Sequence, residues 1–447
     1  MIKIFRKLHL WLSVPFGIII TLICFSGAML IFEPEITRSV RSDVYYVAEV
    51  KNAPLDMGEL MRQVKATLPD SVAITGVTVA SDKSRTWQVN LSKPRRASVF
   101  VDQYTGQITG SYERLGFFST MFKMHRWLLD SANPHGEGVK AGKLLVGIST
   151  LIFVIALITG IVLWWQRARN NFGRSMRISF SKGWSGFWKG LHVAGGMYAL
   201  IFVLAMALTG LTWSFDWYRT AFYAVCGVEH TPRNMGGVAP QQGKVDDGRQ
   251  ENREGGNSQE NRGGDGHLES RGSEGHRGGR GDRQHRMSES ATAASGMSAE
   301  AGERHMAKTA MEATVDSVAA AAEVNLQKEP ISEFVAWQTV YDNLIAANPS
   351  APQITLSPGK ATVTLGTTGN SRASDRYSFD TSTGDVTLSS RYADSVEAVK
   401  LRGWIYSIHT GSLGGMITRI IWLLGALLGA TLPLTGYYIW IKKMLKS

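Results

Sequence analysis

The sequence predicts a membrane all-α four-helix transmembrane bundle that carries two α+β regions on one side of the bilayer and arose by internal duplication. Three observations predict it. Four long apolar runs alternate with polar stretches, Lys and Arg gather at one set of run ends, and short motifs recur at matching spacings in the two halves. The length of 447 residues exceeds one compact domain. With 44% hydrophobic but only 19% charged residues, the composition excludes both a polar soluble enzyme and a mainly disordered chain. The net charge of +11 lies largely beside the apolar runs and points to a lipid bilayer, not to nucleic acid. Two cysteines, Cys24 and Cys226, exclude a disulfide framework.

The apolar runs extend over Leu10–Phe32, Leu144–Trp165, Leu191–Phe215 and Leu413–Ile441. Each exceeds the roughly 20 residues that a helix needs to cross the hydrocarbon core. Lys3, Arg6 and Lys7 precede the first run, Arg167, Arg169, Arg174, Arg177 and Lys182 fill the short loop after the second, and Lys442, Lys443 and Lys446 close the chain. Positive-inside logic puts these groups, and both termini, in the cytoplasm. The first run is too long for a signal peptide and lacks a small-residue cleavage site, so it reads as a retained helix. The chain then divides into helix 1 (1–33), outer domain 1 (34–124), an outer histidine segment with helix 2 (125–166) and a basic cytoplasmic loop (167–186). Helix 3 (187–215), an outer connection (216–234), a Gly/Arg-rich linker (235–305), outer domain 2 (306–400) and a second histidine segment with helix 4 (401–447) follow.

In the first outer domain an amphipathic stretch, Leu55–Leu68, predicts a helix, and alternation predicts strands at Val72–Val79, Thr86–Leu91 and Ala97–Val101. The second repeats this with a helix over Ile331–Ala347 and strands at Gln353–Leu356, Ala361–Leu365 and Arg376–Phe379. Between them, the linker has too few apolar residues to bury a core. Its scattered His267, His276 and His285, with His305 at its end, read as solvated groups.

Repetition is the strongest signal. Val101-Asp102-Gln103-Tyr104-Thr105-Gly106 is echoed by Phe379-Asp380-Thr381-Ser382-Thr383-Gly384, a strand ending in an Asp-capped turn with a permissive glycine. Ser26-Gly27, Thr159-Gly160, Thr209-Gly210 and Thr435-Gly436 mark the four helices. His9 and His192 each stand 17 residues before such a pair, and Lys143 and Arg419 each stand 16 before one. The pairs read first as close-packing devices whose hydroxyls bond within their own helices.

His9 and His192 begin the first and third helices, whereas His125 and His409 precede the second and fourth on the outer side. Ionisable residues at membrane helices are functional candidates, the more so when they form two pairs related by a repeat. Neutral imidazole ligates iron, copper and zinc. Zinc wants three or four protein ligands in one place, and neither pair has companion Cys or carboxylates. Haem iron needs only two axial groups. The absence of C-x-x-C-H makes any haem non-covalent, so two haem b groups are expected, one near each leaflet. On one helix, 17 residues cover roughly 25 Å, most of the bilayer. Lys143 and Arg419 are candidate partners for the outer propionates, or snorkel to headgroups. His135, in an Asn-Pro-His-Gly turn, is the alternative to His125, whose surroundings can be helical.

The stretches His125-Arg126-Trp127-Leu128-Leu129, Gly142-Lys143-Leu144-Leu145-Val146-Gly147 and Leu157-Ile158-Thr159-Gly160-Ile161-Val162-Leu163-Trp164 resemble the PepSY-associated transmembrane helix family of bacteria. The outer regions with Asp-x-x-Thr-Gly are similar to PepSY domains. The resemblance covers nearly everything except the linker. It implies an inner-membrane dihaem protein that takes electrons on the cytoplasmic side and reduces a ferric siderophore or other ferric chelate in the periplasm. His9 and His192 would hold the inner haem, and His125 and His409 the outer one. His409 lacks the Arg-Trp-Leu-Leu continuation and the linker is unusually long, both departures from the family pattern. No Gly-x-Gly-x-x-Gly follows a strand and the cytoplasmic loops are too short for a flavin domain, which leaves a quinol or a separate reductase as donor. The competing readings are a membrane-anchored binding or inhibitory module and a siderophore or metal transporter; the bundle is small for a carrier and lacks paired broken helices.

Overall fold

The computed structural model describes residues 2–94, 97–130, 141–181, 183–229, 334–366 and 368–445. They belong to one compact unit formed by Met1–Thr231 and Ala313–Ser447. The expected linker, and with it His135 and His230, lies outside the described residues.

The first half contains α1 (Ile2–Leu30), α2 (Glu33–Val40), α3 (Ser42–Tyr45), α4 (Met57–Thr67), β1 (Ile74–Ala80), β2 (Trp87–Leu91), β3 (Ser98–Val101), β4 (Ile108–Ser111), α5 (Gly116–Trp127) and α6 (Ala141–Ala168). After α7 (Phe172–Ser175), helix α8 (Gly183–Gly190) runs through a π-helical turn, Leu191–Gly195, into α9 (Gly196–Ser214), and α10 (Asp216–Val225) follows. The second half resumes with α11 (Trp337–Ala347), β5 (Gln353–Ser357), β6 (Lys360–Thr364), β7 (Ser374–Phe379), β8 (Val386–Ser390), α12 (Glu397–Thr410) and α13 (Gly415–Met444).

Four helical segments are long and apolar enough to cross a membrane: Ile2–Leu30, Ala141–Ala168, Gly183–Ser214 and Ser412–Met444. The chain is a membrane protein. In the bundle α1 packs on α6 and α13, and α9 closes the ring against the same two helices. Pro15 in α1 and Pro433 in α13 each remove a helical donor. Hydrogen bonds between these helices lie nearby, from Tyr437 Oη to the Val14 carbonyl at 2.5 Å and from Thr21 Oγ1 to the Ala430 carbonyl at 3.1 Å. Such bonds tie the helices to each other where no water is present.

The regions that follow the first and third spans share one sheet. Its eight antiparallel strands run in the order β4-β3-β2-β1-β5-β6-β7-β8. The seam is the β1–β5 ladder, with Val77 opposite Leu356 and Thr78 opposite Thr355. One apolar face carries α4 and α11, and a single core unites Leu60, Val64, Val77 and Val89 with Trp337, Leu344, Leu356 and Val363. Each fully buried aliphatic side chain contributes about 1.5–3 kcal/mol, so the seam joins two cores that would each be thin alone. The expected strands are present, but β4 and β8 escaped the sequence reading. Both are short edge strands of four and five residues with little alternation.

Each half ends its third strand in the turn that the repeat foretold. Asp102 accepts from the Tyr104 amide at 2.8 Å and Asp380 from the Ser382 amide at 2.7 Å. Gly106 and Gly384 close these turns at φ 77° and 80°, a conformation that costs a side-chain-bearing residue energy. The opposite sheet face differs between the halves. Val44 and Tyr45 cover Phe100 on the first half, whereas the second half presents Thr355, Thr362 and Thr364 to a recess.

Candidate functional site

The four helix-associated histidines form two facing pairs, each with one ring from either half of the chain. The His9 and His192 ring centres are 6.3 Å apart, and those of His125 and His409 are 6.0 Å apart. His9 lies in the first turns of α1, and His192 in the π-helical turn that joins α8 to α9 within the third span. A π turn inserts an extra residue and re-aims its side chains, a device frequent at functional sites. His125 and His409 lie near the C-terminal ends of α5 and α12.

Each ring is held in the same way by another helix. His9 Nδ1 stands 3.0 Å from the Ala156 carbonyl and 3.0 Å from Thr159 Oγ1. His192 Nδ1 meets the Leu432 carbonyl at 3.1 Å and Thr435 Oγ1 at 3.0 Å. His409 Nδ1 meets the Met206 carbonyl at 3.0 Å and Thr209 Oγ1 at 3.2 Å. His125 Nδ1 meets the Ile23 carbonyl at 2.9 Å, three residues before Ser26. A carbonyl only accepts, so Nδ1 carries the proton in all four rings, and in a neutral ring Nε2 keeps its lone pair. This partner chemistry fixes the tautomer and orientation of a metal-ligating histidine.

The glycine of each Ser/Thr-Gly pair makes room for the ring. A Cβ on Gly27 would stand 2.8 Å from His125 Cε1, on Gly210 3.1 Å from His409 Cε1, on Gly436 3.4 Å from His192 Cε1 and on Gly160 3.5 Å from His9 Cε1. The hydroxyls also bond within their own helices, as expected; Thr159 reaches the Ile155 and Ala156 carbonyls. The sequence missed the second use of these motifs. Spacing tied His9 to Ser26, but the structure ties it to Thr159 and gives Ser26-Gly27 to His125. Each of the four spanning segments thus holds one histidine: α6 holds His9, α1 holds His125, α13 holds His192 and α9 holds His409.

Imidazoles bound in line to one metal at about 2.0–2.1 Å per bond have ring centres roughly 6.3 Å apart. Both pairs match that separation. Among the described residues no cluster of three or more His, Cys, Asp or Glu could hold a bare ion, whereas a haem macrocycle needs only the two axial rings. A cavity of about 420 Å³ surrounds His9 and His192. Arg6, Arg167 and Lys443 line it, and among the described residues no Asp or Glu does. Trp164, also in its wall, has a buried Nε1 with no protein partner among the described residues. Apolar walls, three cations and two oriented imidazoles fit a haem with acidic side groups.

The proposed outer cations stand differently. Lys143 is exposed near the start of α6. Arg419 binds Glu35 in a fork, Nη1–Oε1 at 2.5 Å and Nη2–Oε2 at 2.7 Å, donates to the Ile31 carbonyl and lies over the Phe32 ring. Its Nη1 and Nη2 donors are thus engaged by Glu35 and the Ile31 carbonyl. Arg114 forms a similar fork with Glu33 at 2.5 and 2.6 Å. Helix α2 therefore braces α13 through Glu35 and the approach to α5 through Glu33. No periodicity marked either acid in advance; only charge complementarity could have done so. Trp213 packs edge-on against His409 at 5.0 Å.

A family model for the PepSY-associated TM region matches residues 6–443. The chain belongs to the PepSY-associated transmembrane family. No curated protein matches it. For this member of the family the matched span includes all four held histidines and their Ser/Thr-Gly partners.

Proposed function

We propose that this PepSY-associated protein is an oxidoreductase of the bacterial inner membrane that binds two haem b groups non-covalently and reduces a ferric siderophore or other ferric chelate on the periplasmic side. In this reading both termini are cytoplasmic, the sheet is periplasmic, and its two halves are a duplicated pair of PepSY-like domains. Electrons enter at the cytoplasmic end from a quinol or a separate reductase. The observation that carries the reading is the fourfold repetition of one arrangement: an imidazole whose Nδ1 is tied to a backbone carbonyl, whose ring rests on a glycine, and whose mate faces it at metal-bridging distance. A tethered binding module has no use for four rings prepared in this way.

His9 and His192 would hold the inner group, and His125 and His409 the outer one. Bound haem supplies a one-electron couple at each site, and iron(II) is held less tightly than iron(III) by hard oxygen ligands. The chain's own part is to hold Nδ1 protonated, to leave Nε2 free for the metal and to exclude water with the apolar walls of the bundle. Arg6, Arg167 and Lys443, which line the cavity, would pair with the acidic groups of the inner haem. Fourteen residues of α1 separate His9 from Ile23, where His125 docks, so the pairs lie roughly 21 Å apart along that helix. An electron moving outward from a negative interior gains about 2.3 kcal/mol per 100 mV.

The test is a dithionite-reduced minus oxidised absorption spectrum of the purified chain, and of His9→Ala, His192→Ala, His125→Ala and His409→Ala. A b-type α-band that falls by about half in each variant supports the assignment. A colourless parent from haem-replete cells, or four unchanged spectra, overturns it.

A further inference from the structure

The two halves of the sheet differ on the face turned away from α4 and α11. On the first half, Val44 and Tyr45 pack on Phe100 and seal it. The position that corresponds to Phe100 in the second half, counted back from the Asp-x-x-Thr-Gly turn, is Ser378. Here the face stays open, and a recess of about 320 Å³ is walled by β5, β6 and the loop before β7.

Apart from Ala373, the side chains that line it are polar. Gln353, Thr355, Thr362 and Thr364 rise from the strands, and Ser371 and Arg372 come from the loop. Among the described residues no Asp or Glu lines the recess. Arg372 is exposed, and its guanidinium lies 3.7 Å over the Tyr406 ring. No carboxylate among the described residues forms a salt bridge with it. Stacking orients the cation while its edge donors stay free for an incoming anion. Hydroxyls, an amide and one unpaired guanidinium match an oxygen-rich, anionic ligand, and the volume suits a small molecule.

The loop that forms the wall is fastened to the helix that carries His409. The Ser371 amide donates to Ser407 Oγ at 2.9 Å, Ser412 Oγ donates to Ser371 Oγ at 3.0 Å, and the Asn370 side-chain amide donates to the Lys400 carbonyl at 3.0 Å. Ser407 is fully buried and only two residues from His409 on α12, an axial rise of about 3 Å. A ligand in the recess thus lies against a loop that is hydrogen-bonded to the helix carrying His409.

We infer that this recess is the docking site for an anionic ferric chelate, with Arg372 as the residue that selects its charge. The inference rests on the reductase reading above, and it adds the place and charge class of the substrate. Docking needs no covalent change; one electron passes from the reduced protein to the chelate, taking Fe(III) to Fe(II), and the protein is oxidised by one electron.

Two measurements test it. Dithionite-reduced parent and Arg372→Glu protein are mixed with ferric citrate, which is anionic, or with ferric desferrioxamine B, which is cationic, and haem reoxidation is followed. The variant should need about five- to twentyfold more ferric citrate for half-maximal rate, with the same spectrum and maximal rate, and no more of the cationic chelate. Equal ferric citrate dependence in both proteins overturns the inference. Binding of redox-inert gallium(III) citrate by calorimetry needs no electron transfer: loss in Arg372→Glu and in Thr362→Phe, which fills the floor, supports the site, and undiminished binding in both overturns it. A colourless protein that still binds gallium(III) citrate through Arg372 would sink the reductase reading and leave the anion recess standing.

Discussion

The inner and outer histidine pairs use one kind of holder on different scaffolds. At the inner pair both rings project from long spanning segments, and one of these needs a π-helical turn to present His192. At the outer pair both rings come from short helices that end in left-handed residues, Leu128 at φ 51° and Leu129 at φ 62° after α5, Gly411 at φ 73° after α12. The non-glycine residues bear a strain that glycine avoids. What stays constant is the receiving helix, which offers a carbonyl three residues before a small hydroxyl residue and then a glycine. The comparison teaches that the holder, more than the element delivering the ring, defines the site.

The sharpest way to break this comparison is to add one methyl group to each holder. Gly27→Ala would press on His125 at 2.8 Å, closer than real Cβ contacts allow, whereas Gly160→Ala would meet His9 at an ordinary 3.5 Å. Gly27→Ala is expected to remove most of the outer pair's share of the α-band and Gly160→Ala almost none of the inner pair's. Equal losses would show that the glycines serve helix packing alone.

A smaller effect tests the bracing of the outer end. Burial alone raises the Glu35 carboxyl, but the hydrogen bonds and charge of Arg419 outweigh it and hold the group below the usual carboxylate range. A lowered carboxylate adds stability that is complete above its unfolded value, about 4.3, and is lost as pH falls through the folded value. Glu35→Gln should therefore cost about 1–3 kcal/mol at pH 7 and flatten the acid limb of the melting profile. A melting profile identical to the parent's at every pH would mean that the fork contributes nothing.

The smallest effect separates the three threonine holders from Ser26. Thr435→Val keeps the shape but removes the second partner of His192 Nδ1, and should shift the inner midpoint potential by some tens of millivolts without loss of haem. Thr435→Ser should restore it. A potential that ignores both changes would reduce the hydroxyl to a helix-packing role.

Much of this was legible in the chain. The four spans, the Asp-capped turns and the four histidines were read from local signals: apolar length, turn chemistry and a polar ring beside an apolar run. The joining of both outer regions into one sheet was not, because the β1–β5 seam depends on pairing between strands nearly 300 residues apart. Nor was the exchange of holders, since His9 meets Thr159 across 150 residues and His192 meets Thr435 across 243. Nor was the pairing of Arg419 with Glu35, 384 residues earlier.

The sequence by itself determined which segments are long and apolar enough to span a bilayer and which side chains are candidate ligands, because burying backbone in hydrocarbon and satisfying a turn are local demands. Only the tertiary structure decided which ring faces which, which carbonyl holds each Nδ1 and which sheet face stays open. Those outcomes depend on distances between helices and strands far apart in the chain, and no periodicity encodes them.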